Sequence, residues 1–149
     1  MDAALDAIVS ELSEADKQER IELLIDFAKN LPALPDRLVA HKDATHRVEE
    51  CQSPVYLFVE LDGDRVSIHA DAPIEAPTVR GFVAILVEGL TGASVADVVS
   101  LPADLIDRLG LPEILGMLRV RGLNGVLHRV KSDVRRAALA RDAGPAPSS

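Results

Sequence analysis

Residues 55–71, VYLFVELDGDRVSIHAD, read as two strands joined by a tight turn. Val55 to Leu61 is rich in β-branched and aromatic side chains, Asp62 to Asp64 supplies turn chemistry, and Arg65 to Asp71 is the hairpin partner, with His69 alternating with Ile68 as an outward polar residue. A lone hairpin is marginal in water, so a third strand is expected, and the segment around His46 to Val48 is the one available. Helical patterns flank this core. Leu5, Ile8, Val9 and Leu12 recur at helical spacing between Asp2 and Ala15, and Ile21, Leu24, Ile25 and Ala28 do so between Asp16 and Lys29. Asp16, followed by Glu19, marks a cap at their junction. Asn30 and Pro32 stop the second helix, and Pro32 with Pro35 makes LPALPDRL a stiff connector rather than more helix.

Downstream, Val79, Phe82, Val83, Leu86 and Leu90 predict a long helix that ends at Gly89 or Gly92 and covers the sheet. Short helices follow from Ser94, over Ala103 to Leu109 and over Pro112 to Leu118, and Gly122 and Gly125 read as the tight start of a final helix, Val126 to Ala140. The fold class is α+β, a small antiparallel sheet of about three strands packed with N-terminal and C-terminal helices. The 149 residues fit one domain over 1–141, and the last residues, 142–149, read as a flexible tail.

Composition narrows the function classes. With 48% hydrophobic and 27% charged residues and a mean hydropathy of +0.14, the chain is neither disordered nor a membrane protein. No basic leader precedes an apolar segment and no apolar run could span a bilayer, so a cytoplasmic location is expected. The net charge of -8 disfavours nucleic acid as a partner. Charge is uneven: Asp2, Asp6, Glu11, Glu14, Asp16, Glu19, Glu22 and Asp26 crowd the N-terminal helices, while Arg119, Arg121, Arg129, Lys131, Arg135, Arg136 and Arg141 mark the C-terminal one. Both read first as solvated helix faces.

One residue carries chemistry. Cys51 is the only cysteine, so it forms no internal disulfide, and it stands in the polar stretch HKDATHRVEECQSP before the first strand. Its neighbours Glu49, Glu50, Gln52 and Ser53 argue for an exposed loop and against a buried thiol, and the adjacent carboxylates are expected to raise its pKa. His41, His46 and Cys51 recur at intervals of five, which does not match the usual ligand spacing of a metal site. GLTGAS and RGLNGV are not phosphate-binding fingerprints.

The segments HRVEECQSPVYLFVELDGDRVSIHADAP, TVRGFVAILVEGLTG and LGLPEILGMLRVRGLNGVLHRVK, in that order and spacing, resemble the SufE-like sulfur acceptors of iron-sulfur cluster assembly. The resemblance sets Cys51, Gln52 and Ser53 in the family's CQS loop before a strand. It sets Asp71 in a DS pair, Arg80 with Gly81 in a helical RG, Leu109 to Leu111 in an LGL turn, and Arg121 with Gly122, Leu123 and Asn124 in an R-x-NGL type segment. Two departures stand out: Ala72 replaces the Ser of the DS pair, and the last motif reads RGLN.

The resemblance implies a SufE/IscU-like fold and a partnership with a PLP-dependent cysteine desulfurase. Cys51 would accept the enzyme's persulfide sulfur, stimulate its turnover and pass the sulfur to a cluster-assembly scaffold, with Gln52, Ser53, Asp71, Arg80 and Arg121 as positioning or partner-contact groups. No cofactor or metal on this chain is needed, and the oligomeric state stays open, a homodimer included. The resemblance also implies that the Cys51 loop rests against the protein and extends when the partner docks. The lack of Gly from Glu49 to Ser53, with Pro54 behind them, would set that motion on the loop's upstream side. Two rivals are a regulator that binds a desulfurase without taking sulfur, and a stand-alone thiol enzyme with a His beside Cys51.

Overall fold

A computed structural model describes residues 1–144. Its elements run α1 (Ala3–Glu14), α2 (Lys17–Lys29), α3 (Asp36–Val39), β1 (Tyr56–Asp62), β2 (Arg65–Asp71), α4 (Pro77–Leu90), α5 (Val95–Val99), α6 (Leu105–Arg108), a 3-10 turn (Leu111–Glu113) and α7 (Met117–Asp142). The class is α+β, as the sequence implies. The part of the expected tail over residues 145–149 lies outside the described residues, and Asp142 still belongs to α7.

β1 and β2 pair antiparallel from Tyr56 opposite Asp71 to Asp62 opposite Arg65. Gly63, with φ +59°, occupies the first turn position, where only glycine sits without strain. The expected third strand is absent among the described residues: the sheet has two strands, and His46 to Val48 contributes one residue pair, Arg47 opposite Tyr56. The Leu57 N–H to His46 O bond and the Val48 N–H to Val55 O bond, both 2.9 Å, are all the pairing this segment manages. The chain turns at Asp43 to His46 and again after Val48, which leaves no length for a ladder.

The long middle helix does more than cover the sheet. Val79, Phe82, Val83, Ile85, Leu86 and Leu90 are all buried, and α4 packs against α1, α2, β2 and α7 together. Close approach is possible because two positions carry no side chain. A Cβ on Gly81 would collide with Leu24 O of α2, and one on Gly89 would lie 2.9 Å from Leu5 Cδ1 of α1.

The α1–α2 corner is built on a buried cation. Asp16 caps α2 by accepting from Glu19 N–H at 2.9 Å, as its spacing predicts. The buried stripe of α2 is Arg20, Leu24 and Ala28, so an arginine stands where the apolar pattern gives no hint of one. Its guanidinium donates to Leu12 O at 2.9 Å, Ala15 O at 2.8 Å and Gly110 O at 3.0 Å, and pairs with Glu113 at 3.1 Å. It thereby satisfies the last carbonyls of α1 and ties them to the turn before Leu111. Gly110 has φ +72°, and a Cβ there would meet Arg20 Cζ at 2.5 Å.

Two further expectations are corrected. The proline-bounded connector is not irregular throughout, because Pro35 is followed by the single-turn helix α3. Pro112 to Leu118 is no separate helix: α7 starts at Met117 and runs unbroken through Gly122 and Gly125. Among the described residues no helix is long and apolar enough to cross a membrane.

Arg20→Leu keeps a long side chain but removes the guanidinium from three carbonyls, of which Leu12 O alone keeps a second donor, Ala15 N–H at 3.3 Å. It should lower stability by about 3 kcal/mol, read as a fall in the urea midpoint at unchanged slope.

Candidate functional site

Cys51 lies on a loop whose two feet, Val48 and Val55, are fully buried and joined by the Val48 N–H to Val55 O bond of 2.9 Å. Between them Cys51 N–H reaches Val48 O at 3.3 Å and Val55 N–H reaches Ser53 O at 2.8 Å, so the loop folds back on itself. Cys51 turns inward and is 3% exposed, while Glu49, Glu50 and Gln52 remain at the surface. The polar neighbours therefore do not keep the thiol in water, against the sequence expectation. A loop can alternate its faces, and here only the cysteine faces the core.

What receives the loop is α7. Gly122 and Gly125 lie three residues apart, on one helical face, beneath Glu50 and Cys51. A Cβ on Gly122 would stand 3.7 Å from Cys51 Sγ, an ordinary contact, whereas one on Gly125 would collide with Glu50 Cβ. That Cβ is fixed to the backbone, so the loop itself would have to move. The two glycines, read from sequence as the start of a helix, are a seat inside one.

Burial pushes the Cys51 thiol above its ordinary pKa, and the smaller pulls of a Ser53 backbone hydrogen bond and the Arg47 charge act the other way. The direction agrees with the sequence reading. The cause does not, since removal from water outweighs any effect of the neighbouring carboxylates.

The upstream side of the loop is the fixed side. Arg129 of α7 donates to Arg47 O at 2.9 Å and to Thr45 O, and is itself held by Asp133 at 3.0 Å. His46 stacks on Phe58 with ring centres 4.3 Å apart. Residues 49–54 have no side-chain hydrogen bond or ion pair of this kind among the described residues, so the free segment is the loop body, not the stretch before it.

In front of Cys51 opens a cavity of about 510 Å³, walled by Cys51, Gln52 and Ser53, by Glu75–Val79 at the start of α4, and by Leu118, Arg119 and Gly122 of α7. Asp71 and Arg80 do not line it. Asp71 pairs with Lys42 Nζ at 2.6 Å, and Arg80 donates to Ala72 O at 2.5 Å and Ala28 O at 3.0 Å. Together they brace the approach to α4, which forms one wall. Arg121 is exposed and outside the cavity, whereas Arg119, also exposed, lines it from α7. The signal was present: R-x-NGL laid on Arg119, Val120, Arg121, Gly122 and Leu123 matches arginine, glycine and leucine in register. Among the described residues no histidine lines the cavity.

Residues 6–134 match the family model SufE, the Fe-S metabolism associated domain. An uncharacterized SufE-like protein of Mycobacterium tuberculosis (strain H37Rv) is 43% identical over 136 residues, covering 91% of this chain and 94% of that one. The sulfur acceptor protein CsdE of Escherichia coli (strain K12) is 31% identical over 111 residues, covering 73% and 72%. Among solved structures, the solution structure of a hypothetical protein from Thermus thermophilus superposes with a TM-score of 0.79 at 32% identity, covering 91% of this chain and 96% of that one.

Alkylation of Cys51 requires the thiolate, so the raised pKa should make it slow at neutral pH and still accelerating where an exposed cysteine has reached its plateau. Gly125→Ala should unseat the loop, quicken alkylation at neutral pH and move the pH profile down toward that of free cysteine. Gly122→Ala, which meets only ordinary contacts, should do so far less. Because alanine favours the helix by about 1 kcal/mol, melting temperature alone will not report the change.

Proposed function

The chain belongs to the SufE family, and from that premise we propose that it is a sulfur-acceptor protein, taking sulfur onto Cys51 from the persulfide of a PLP-dependent cysteine desulfurase. The observation that carries this reading is the placement of the only thiol on a loop pinned at its feet, whose body is held by local backbone bonds and burial and by no side-chain hydrogen bond or ion pair among the described residues. A buried thiol with a raised pKa is a poor nucleophile, which suits a resting acceptor. Extended toward a partner, the same cysteine loses the burial that holds its proton.

In the transfer, the Cys51 thiolate attacks the outer sulfur of the partner's persulfide. A new S–S bond forms on Cys51, the partner's S–S bond breaks, and its electron pair leaves with the partner's thiolate. No electrons are gained or lost overall, and no cofactor on this chain takes part. Arg119 at the cavity wall offers a positive charge to the sulfur, and Asp71 and Arg80 act indirectly by fixing the wall. Gln52 and Ser53 flank the thiol and would meet the partner first. The loaded protein then hands its sulfur to a cluster-assembly scaffold. A lone unpaired thiol fits a reducing, cytoplasmic compartment. The reading needs one copy of the chain and does not depend on a homodimer.

Incubated with a cognate desulfurase, cysteine and reductant, the protein should gain the mass of one sulfur on Cys51 and raise sulfide release. Cys51→Ser should gain no sulfur and leave release at the level of the desulfurase alone. Equal stimulation by wild type and Cys51→Ser would instead identify a regulator that takes no sulfur.

A further inference from the structure

The outer edge of β2 is paired at one end, covered at the other and open between. Val66 N–H donates to Ala93 O at 2.8 Å and Val66 O accepts from Gly92 N–H at 2.7 Å, so Val66 turns its backbone groups away from β1. Leu57, across from Ala70, likewise sends its N–H away from the hairpin, to His46 O. Antiparallel pairs alternate, so Ile68 and Ala70 also present N–H and C=O to the outer edge of β2. None of these four groups has a partner among the described residues, although Ile68 and Ala70 are only 2% and 3% exposed. Buried backbone groups left in this way are rare. Just beyond them Arg80 takes Ala72 O. The open stretch borders a second cavity, of about 500 Å³, within the range of ligand pockets. Ile68 to Ala70 form one wall and Ala84 and Val87 of α4 another, with Pro32 and Glu88 exposed at the mouth. Glu88 is its one acid, no Lys or Arg lines it, and it shares no lining residue with the cavity at Cys51.

We propose that this cavity is a docking site for an extended segment of a partner protein, which joins β2 as an antiparallel third strand. Donors and acceptors on alternate residues of one edge are what a β-ladder recognises. Three residues running antiparallel satisfy all four groups, the first pairing with Ala70 and the third with Ile68, whereas a parallel segment must be longer to do so. The paired length stops there, because Gly92 and Ala93 already hold the edge at Val66. The same flank excludes a second copy pairing through its own β2, since a two-fold at His69 would drive that copy's Gly92 and Ala93 onto Ala72. The register also sets the side chains. The first and third residues share the face of Ile68 and Ala70 and meet Ala84 and Val87, so they are apolar, while the middle one lies on the His69 side and is polar. α4 ends beside Val66, which sets Glu88 near the point where the segment leaves, so a basic residue follows the third. A partner held here leaves the thiol face uncovered, and the inference does not rest on sulfur acceptance.

The probes are acetyl-X-Thr-X-Lys-amide peptides, with X as Ala, Val or Leu, titrated into the isotope-labelled full chain and followed by the NMR signals of its backbone amides. With at least one peptide the Ile68 and Ala70 amides should shift downfield together and saturate. N-methylation of either X in that peptide removes the donor to Ala70 O or Ile68 O and should weaken binding about tenfold or more. N-methylation of the Thr, whose N–H faces away from β2, should leave most of the affinity. Glu88→Lys, at an exposed position, should weaken binding of the Lys peptide about twofold or more and favour its Glu counterpart. The proposal is overturned if no peptide of the set moves both amides, or if methylation of the Thr costs as much as methylation of X. An unchanged preference in Glu88→Lys overturns the antiparallel direction.

Discussion

The close approach of α4 to α1 and α2 at Gly81 and Gly89 is the constraint on which the rest of the molecule depends. A helix buried on nearly all sides has to be met by backbone or small groups somewhere, and here two glycines allow Leu24 and Leu5 to lie almost against its axis. That packing holds one end of α4 at the cysteine cavity and fixes the direction of its first turn. Arg20 closes the opposite corner by tying the end of α1 to Gly110, so the chain leaving α6 is led toward the start of α7. With α4 and α7 both set, the space between them is set too, and the Cys51 loop occupies one side of it.

The fastening of that loop differs in kind from its surroundings. Arg129 with Asp133, Lys42 with Asp71, and Arg37 with Glu60 at 2.6 Å lock the segments on either side through charge and hydrogen bonds. The loop body is held instead by two local backbone bonds, by the burial of one small side chain and by shape against two glycines. Such contact is short-ranged and insensitive to salt, and it gives way as a unit once a single residue is displaced. A rigid frame around a lightly held segment is what a carrier needs, because the frame keeps its geometry while the segment moves.

How much of this was legible in the sequence depended on the range of the force involved. The hairpin, its glycine turn, the Asp16 cap and the apolar stripe of α4 rest on neighbours in the chain, and local patterns expressed them. Gly122 and Gly125 misled, because glycine usually marks a helix end, and only the loop lying across α7 shows that both lie inside a helix beneath it and that Gly125 serves close approach. Arg20 was silent, since its partners on Ala15 and Gly110 lie at very different separations along the chain. Cys51 looked exposed because composition averages over a loop and cannot say which of its residues turns inward. The missing third strand follows from two turns too close together, and Arg119 emerged over Arg121 only when the cavity walls were traced.

The pinned feet of the loop also act as a ruler. Cys51 stands three residues from Val48, which the Arg47 and Val55 pairings hold in place. A fully extended chain gains at most about 3.6 Å per residue, so the thiol can travel only about 10 Å from that anchor. A carrier with so short an arm cannot search a distant active site while its body drifts. In the acceptor role proposed above, the body would have to be brought flush against the donor before the sulfur is in range, and the tether would thereby convert surface fit between two proteins into selectivity among donors.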